Sequence, residues 1–136
     1  MPRILLIDHG HPGTRLAARL AGEGFGVVVV SSETQLPHAA VAPDLILLNM
    51  QLPHGGGLTA FQTLRSQEDT RRLPIVLMRE DVGADYWAPL PEAGDGPAVV
   101  SGRQPDDGLL VARVGQWLAC PGDEHQWSGA RPRTNW

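Results

Sequence analysis

Four apolar runs in this 136-residue chain end on a residue able to do chemistry. They are RILLI before Asp8-His9, LILL before Asn49, IVLM before Arg79, and AVV before Ser101-Gly102. Gathered at one place, a carboxylate, an imidazole, a carboxamide, a guanidinium and a hydroxyl could bind an ion or a polar partner. They are poorly chosen for covalent catalysis. A carboxamide has no anionic oxygen to act as nucleophile, no nucleophile–base pair is evident, and the His9-Gly10-His11-Pro12-Gly13 loop lacks the spacing of a nucleotide-binding fingerprint. Asp8, His9, His11 and His54 fall in loops of one sheet edge. They are either weak ligands for a zinc-type metal or exposed loop side chains.

These residues must be positioned by the runs that precede them. Arg3–Ile7, Val27–Val30, Asp44–Leu48, Ile75–Met78 and Ala98–Val100 read as strands, apolar on both faces as parallel strands are. Helical spacing follows over Thr14–Ala21, Leu58–Gln67 and Leu109–Leu118, and after Ser31-Ser32-Glu33, where Pro37 should shorten or kink the helix. Residues 80–97 carry three Gly and three Pro, so any helix there is short, over about Val82–Ala88. Strands alternating with helices predict a doubly wound α/β domain, a parallel sheet covered on both faces. In such sheets the functional crevice lies outside the carboxyl ends of the strands, which is where Asp8, Asn49, Arg79 and Ser101 fall. Residues 1–119 are expected to form this domain, and 120–136 a polar tail that is disordered or docks.

A net charge of −4 with scattered Arg argues against nucleic-acid binding by this chain alone. One cysteine, Cys120, excludes an internal disulfide. No stretch approaches the length and apolarity of a membrane helix, and the start of the chain has no signal-peptide pattern. A cytoplasmic location is expected.

The segments RILLID (3–8), PDLILLNMQLP (43–53), GGL (56–58), RRLPIVLM (71–78), EAG (92–94) and LLVARV (109–114) resemble the receiver domains of response regulators, in order and nearly in separation. The resemblance covers about residues 2–119 and implies a flavodoxin-like, CheY-like sheet of strand order 2-1-3-4-5, here with a shortened or irregular fourth helix. It also implies what a working receiver would carry: two acidic residues after the first strand, a phosphate-accepting aspartate after the third, a hydroxyl after the fourth and a lysine after the fifth. This chain keeps the first acid as Asp8. The second acidic position holds His9, the acceptor Asn49, and the hydroxyl position Arg79. The lysine position holds Ser101, or Gly102 or Arg103 under another gap, and the switch aromatic is Ala98 or Val99. Mg²⁺ prefers hard anionic oxygens, and imidazole suits zinc-type metals better.

The expectation is therefore a pseudo-receiver: a phosphorylation-independent protein-interaction module of two-component-type signalling or transcriptional regulation. It would have no catalytic residue, no enzymatic activity and no cofactor. Two alternatives stay open, a small-molecule or metal sensor reusing the pocket and a receiver with residual phosphotransfer. Arg79 either pairs with Asp8 in place of the lost cation or turns to solvent. The family's output surface (fourth helix, fifth strand, fifth helix) implies a partner face, or a homodimer, at Tyr86, Trp87, Glu92 and Asp95. The two aromatics either anchor that face or fill the core.

Overall fold

The computed structural model describes residues 2–31, 43–52, 56–83, 86–90, 96–102 and 108–119. Six strands and three helices are assigned among them: β1 (Arg3–Ile7), α1 (Gly10–Gly22), β2 (Gly26–Val30), β3 (Leu45–Asn49), α2 (Gly56–Ser66), β4 (Ile75–Arg79), β5 (Trp87–Pro89), β6 (Ala98–Gly102) and α3 (Gly108–Ala119). They form one sheet of order β2-β1-β3-β4-β6-β5. The first five of these strands are parallel, and β5 runs antiparallel to β6 along the edge. Counting only the parallel strands in chain order restores the expected 2-1-3-4-5 arrangement.

Alternation along each strand divides the core into two layers. Ile4, Leu6, Leu45, Leu47, Val76, Met78 and Val99 pack with Leu16 and Leu20 of α1 and Leu110, Val114 and Trp117 of α3. Leu5, Ile7, Ile46, Leu48, Ile75, Leu77 and Ala98 face the other way, onto Ala60 and Leu64 of α2. The two-residue period of a strand and the 3.6-residue period of a helix thus bring these runs out of water. Strand β2, expected to be covered on both faces, departs from this at the end of the sheet, with Val28 36 % and Val29 45 % exposed. Asp44 fixes the start of β3 against β1. Its carboxylate accepts the Arg3 N–H at 2.8 Å, and its own N–H donates to the Arg3 carbonyl at 2.7 Å.

Two departures from the expected elements have physical causes. Helix α1 begins at Gly10, four residues before Thr14. The N–H groups of a first turn have no intrahelical acceptor, so Pro12 removes nothing the helix needs there. In 80–97 the expected helix over Val82–Ala88 is replaced at its end by strand β5. The edge of β6 offers unpaired backbone groups, and Tyr86–Leu90 satisfies them: Gly102 N–H donates to the Tyr86 carbonyl at 3.0 Å, and Leu90 N–H to Ala98 at 2.9 Å. Proline inside a short edge strand is tolerated, and it blunts further pairing. The helix expected after Ser31 and the 120–136 tail lie outside the described residues, none of whose helices is long and apolar enough to cross a membrane.

Candidate functional site

Strands β1, β3, β4 and β6 end side by side, and their last residues form one edge. Asp8 follows β1 and continues its ladder, its N–H donating to the Val30 carbonyl at 3.1 Å. Its carboxylate is fully buried, as is the side chain of Asn49 at the end of β3 but for 2 % of its surface. Asn49 Nδ2 donates to Asp8 Oδ1 at 2.7 Å, and the His9 N–H donates to the same oxygen at 2.8 Å. On its other side Asn49 Oδ1 accepts the Gln51 N–H at 2.8 Å. A carboxylate can only accept and a backbone N–H can only donate, so the orientation of the amide is fixed from both ends.

First turns of two helices press on this edge. A Cβ added at Gly13 in α1 would sit 3.1 Å from the Asp8 Cβ, and one at Gly57 in α2 would sit 2.3 Å from the Met50 carbonyl oxygen. Glycine at both places lets the helices approach the loops that carry Asp8 and Asn49. From the Asn49 loop, Gln51 reaches across to the next strand: its Oε1 accepts the Glu80 N–H at 2.7 Å. Nothing in the sequence marked Gln51, whose role depends on a backbone partner 29 residues away.

The remaining positions fall apart from the Asp8–Asn49 pair. Arg79, expected either beside Asp8 or in solvent, is exposed and forms a forked pair with Asp81, Nε to Oδ1 at 2.8 Å and Nη2 to Oδ2. The Asp81 hydrogen bond and charge raise the pKa of Arg79, and the same hydrogen bond holds Asp81 below the usual aspartate value. The local pair forms because two residues across a turn lose little freedom in meeting. Ser101 is buried, and its hydroxyl donates to the Gly102 carbonyl at 2.8 Å. His9 is exposed and gives α1 no side-chain cap. The side chain of His11 and the whole of His54 lie outside the described residues, among which no three His, Cys, Asp or Glu group closely enough to hold a metal.

These donors do not fit Mg²⁺. Among the described residues this edge buries one carboxylate, Asp8, and the amide beside it turns hydrogens, rather than lone pairs, toward the oxygen a cation would need.

On the far side of the sheet the two aromatics separate. Tyr86 is 43 % exposed, whereas Trp87 is 8 % exposed. The Trp87 ring meets Trp117 edge to face at 6.3 Å, and the Arg113 guanidinium lies 5.3 Å from its centre. Trp87 therefore fills the core and is no exposed anchor. Glu92 and Asp95 lie outside the described residues.

No family model matches the chain. It is 32% identical over 115 residues to the response regulator PleD of Caulobacter vibrioides, covering 82% of this chain and 25% of that protein. With the DNA-binding dual master transcriptional regulator RpaA of Synechocystis it shares 33% over 81 residues, 57% of this chain and 34% of the relative. The response regulator TrrA of Thermotoga maritima, solved in complex with Mg²⁺-BeF, has the same fold, with a TM-score of 0.62 at 20% identity over 85% of this chain and 98% of that one. Homologues and fold neighbours alike support a response-regulator receiver domain. The chain spans only a quarter to a third of the length of these two curated relatives. Within the receiver fold, Asn49 stands at the tip of the third strand of the parallel core, and the segment after β4 ends in an edge strand.

Proposed function

We propose that this chain is a phosphorylation-independent receiver, a module that works in the cytoplasm by binding a protein partner and performs no chemistry of its own. The observation that carries this reading is the Asn49–Asp8 hydrogen bond. Phosphoryl transfer to a receiver needs a carboxylate oxygen with Mg²⁺ beside it. Here a neutral amide holds that position and donates to the carboxylate that would otherwise bind the ion. Arg79 and Ser101, at the positions of the phosphate-binding hydroxyl and lysine, are engaged with Asp81 and Gly102. A module of this kind is set in one state or shifted by a partner that prefers one conformation.

Its contact face in this reading is the β6–β5–α3 side, with Tyr86 exposed at the end of β5, and a homodimer through that face is one form it could take. The net charge of −4 makes nucleic acid a poor partner for this chain by itself. Incubation with acetyl phosphate and Mg²⁺, followed by intact-mass spectrometry, tests the proposal. No adduct is expected, while a receiver with an acceptor aspartate treated alongside gains one. A phosphoryl group mapped to Asn49 would overturn the reading.

A further inference from the structure

We infer that Gln51 is a positioning residue that couples the buried Asp8–Asn49 pair to the turn carrying Tyr86. The inference deepens the binding-module reading and rests on it for its use in signalling. The wiring itself stands on a run of hydrogen bonds. Asp8 Oδ1 accepts from Asn49 Nδ2, Asn49 Oδ1 accepts from the Gln51 N–H, and Gln51 Oε1 accepts from the Glu80 N–H, at 2.7, 2.8 and 2.7 Å. One amide side chain thus sets the backbone of the residue whose own amide crosses to the following strand end.

Beyond Glu80 the turn is closed by short contacts. Arg79 and Asp81, either side of Glu80, pair with each other. The Tyr86 N–H donates to the Gly83 carbonyl at 3.0 Å. The Tyr86 carbonyl in turn accepts from Gly102 N–H at 3.0 Å and from the Arg113 guanidinium at 3.4 Å. A change in the buried amide pair therefore has a bonded path to an exposed aromatic. Coupling of this sort requires an element both ends bias, and the residue 79–83 turn is that element.

Tyr86 is the one tyrosine in the sequence, so protein labelled with fluorotyrosine gives a single fluorine NMR signal from this position. Gln51→Ala should move that signal and speed amide exchange at Glu80 by about five- to tenfold, the loss of one hydrogen bond. Gln51→Glu keeps an oxygen acceptor and should return both readouts close to the parent. The rescue separates positioning from general loosening. Gln51 is exposed, so both variants are expected to fold. An unmoved signal in Gln51→Ala, or equal disturbance by both variants, would overturn the coupling. A phosphoryl adduct on the parent protein would remove the functional reading and leave this result standing.

Discussion

The two halves of the sheet edge are held by opposite kinds of interaction. At the ends of β1 and β3 a buried carboxylate and a buried amide interlock through directed hydrogen bonds, and first turns from α1 and α2 close over them. At β6 and β5 the contacts are aromatic: Trp87 against Trp117, with Arg113 over the ring. Hydrogen bonds between buried groups tolerate little change, because a lost partner leaves a polar atom without solvent. Apolar packing tolerates rearrangement provided volume is kept. The difference accounts for a first half that keeps the geometry of a receiver fold, and a second half that holds the edge strand β5 beside β6.

The sharpest way to break this comparison is to empty the aromatic half. Trp117→Ala and Trp87→Ala should each cost about 3–5 kcal/mol in chemical unfolding, as large-to-small changes in a core do. Tyr86→Ala, one residue away but exposed, should stay within about 0.5 kcal/mol of the parent. If Trp87→Ala were as mild as Tyr86→Ala, Trp87 would be a surface residue and the core assignment of this half would fail.

Asn49→Asp probes the polar half. It converts a donor aimed at Asp8 into a second carboxylate at hydrogen-bond distance, and at neutral pH this should cost about 2–3 kcal/mol. Like charges this close do not both ionise readily, so the folded variant holds a proton to higher pH than the unfolded chain does. The sign follows: the deficit is largest above that raised titration and shrinks as pH falls toward the ordinary carboxylate range. Melts of parent and variant at descending pH should converge. A pH-independent deficit would show that the two side chains do not meet.

Much of the row of polar strand ends was legible in the sequence because each of its residues terminates an apolar run. Asp8, Asn49, Arg79 and Ser101 were placed on one edge by strand count alone, and the receiver-like segments supplied the order. What stayed illegible depended on partners far along the chain. Gln51 and Arg65 look like ordinary polar residues until the fold brings backbone groups to them. Residues 80–97 misled for a different reason. Gly and Pro forbid a long helix there, but only the open edge of β6 decides that Trp87–Pro89 becomes a strand. Whether Arg79 faced Asp8 or solvent was undecidable from spacing, because Asp81 offers a nearer partner.

Arg65 sets a smaller effect than the two tryptophans. Its Nη1 donates to the carbonyls of Arg71 and Leu73 at 2.9 and 2.8 Å, and its Nη2 to Pro97 at 3.0 Å, tying the end of α2 to the approaches of β4 and β6. Arg65→Ala should cost about 1.5–3 kcal/mol, the range for hydrogen bonds made by a charged group. Arg65→Lys should recover less than half, since one ammonium cannot reproduce a planar fork.

The smallest effect belongs to Arg79–Asp81, a local pair at the end of β4. Both groups are exposed and solvent screens them, so Asp81→Asn should leave the thermal melt at neutral pH unchanged. Its signature is local. The hydrogen bond from Arg79 depresses the Asp81 pKa, so the pair is complete above the ordinary aspartate value and is lost as pH falls through the lower, folded value. A carboxyl NMR titration should place Asp81 below unstructured aspartate in the parent and at the ordinary value in Arg79→Ala. If the two curves coincide, Arg79 is not held by Asp81, and its guanidinium becomes available to the Asp8 edge after all.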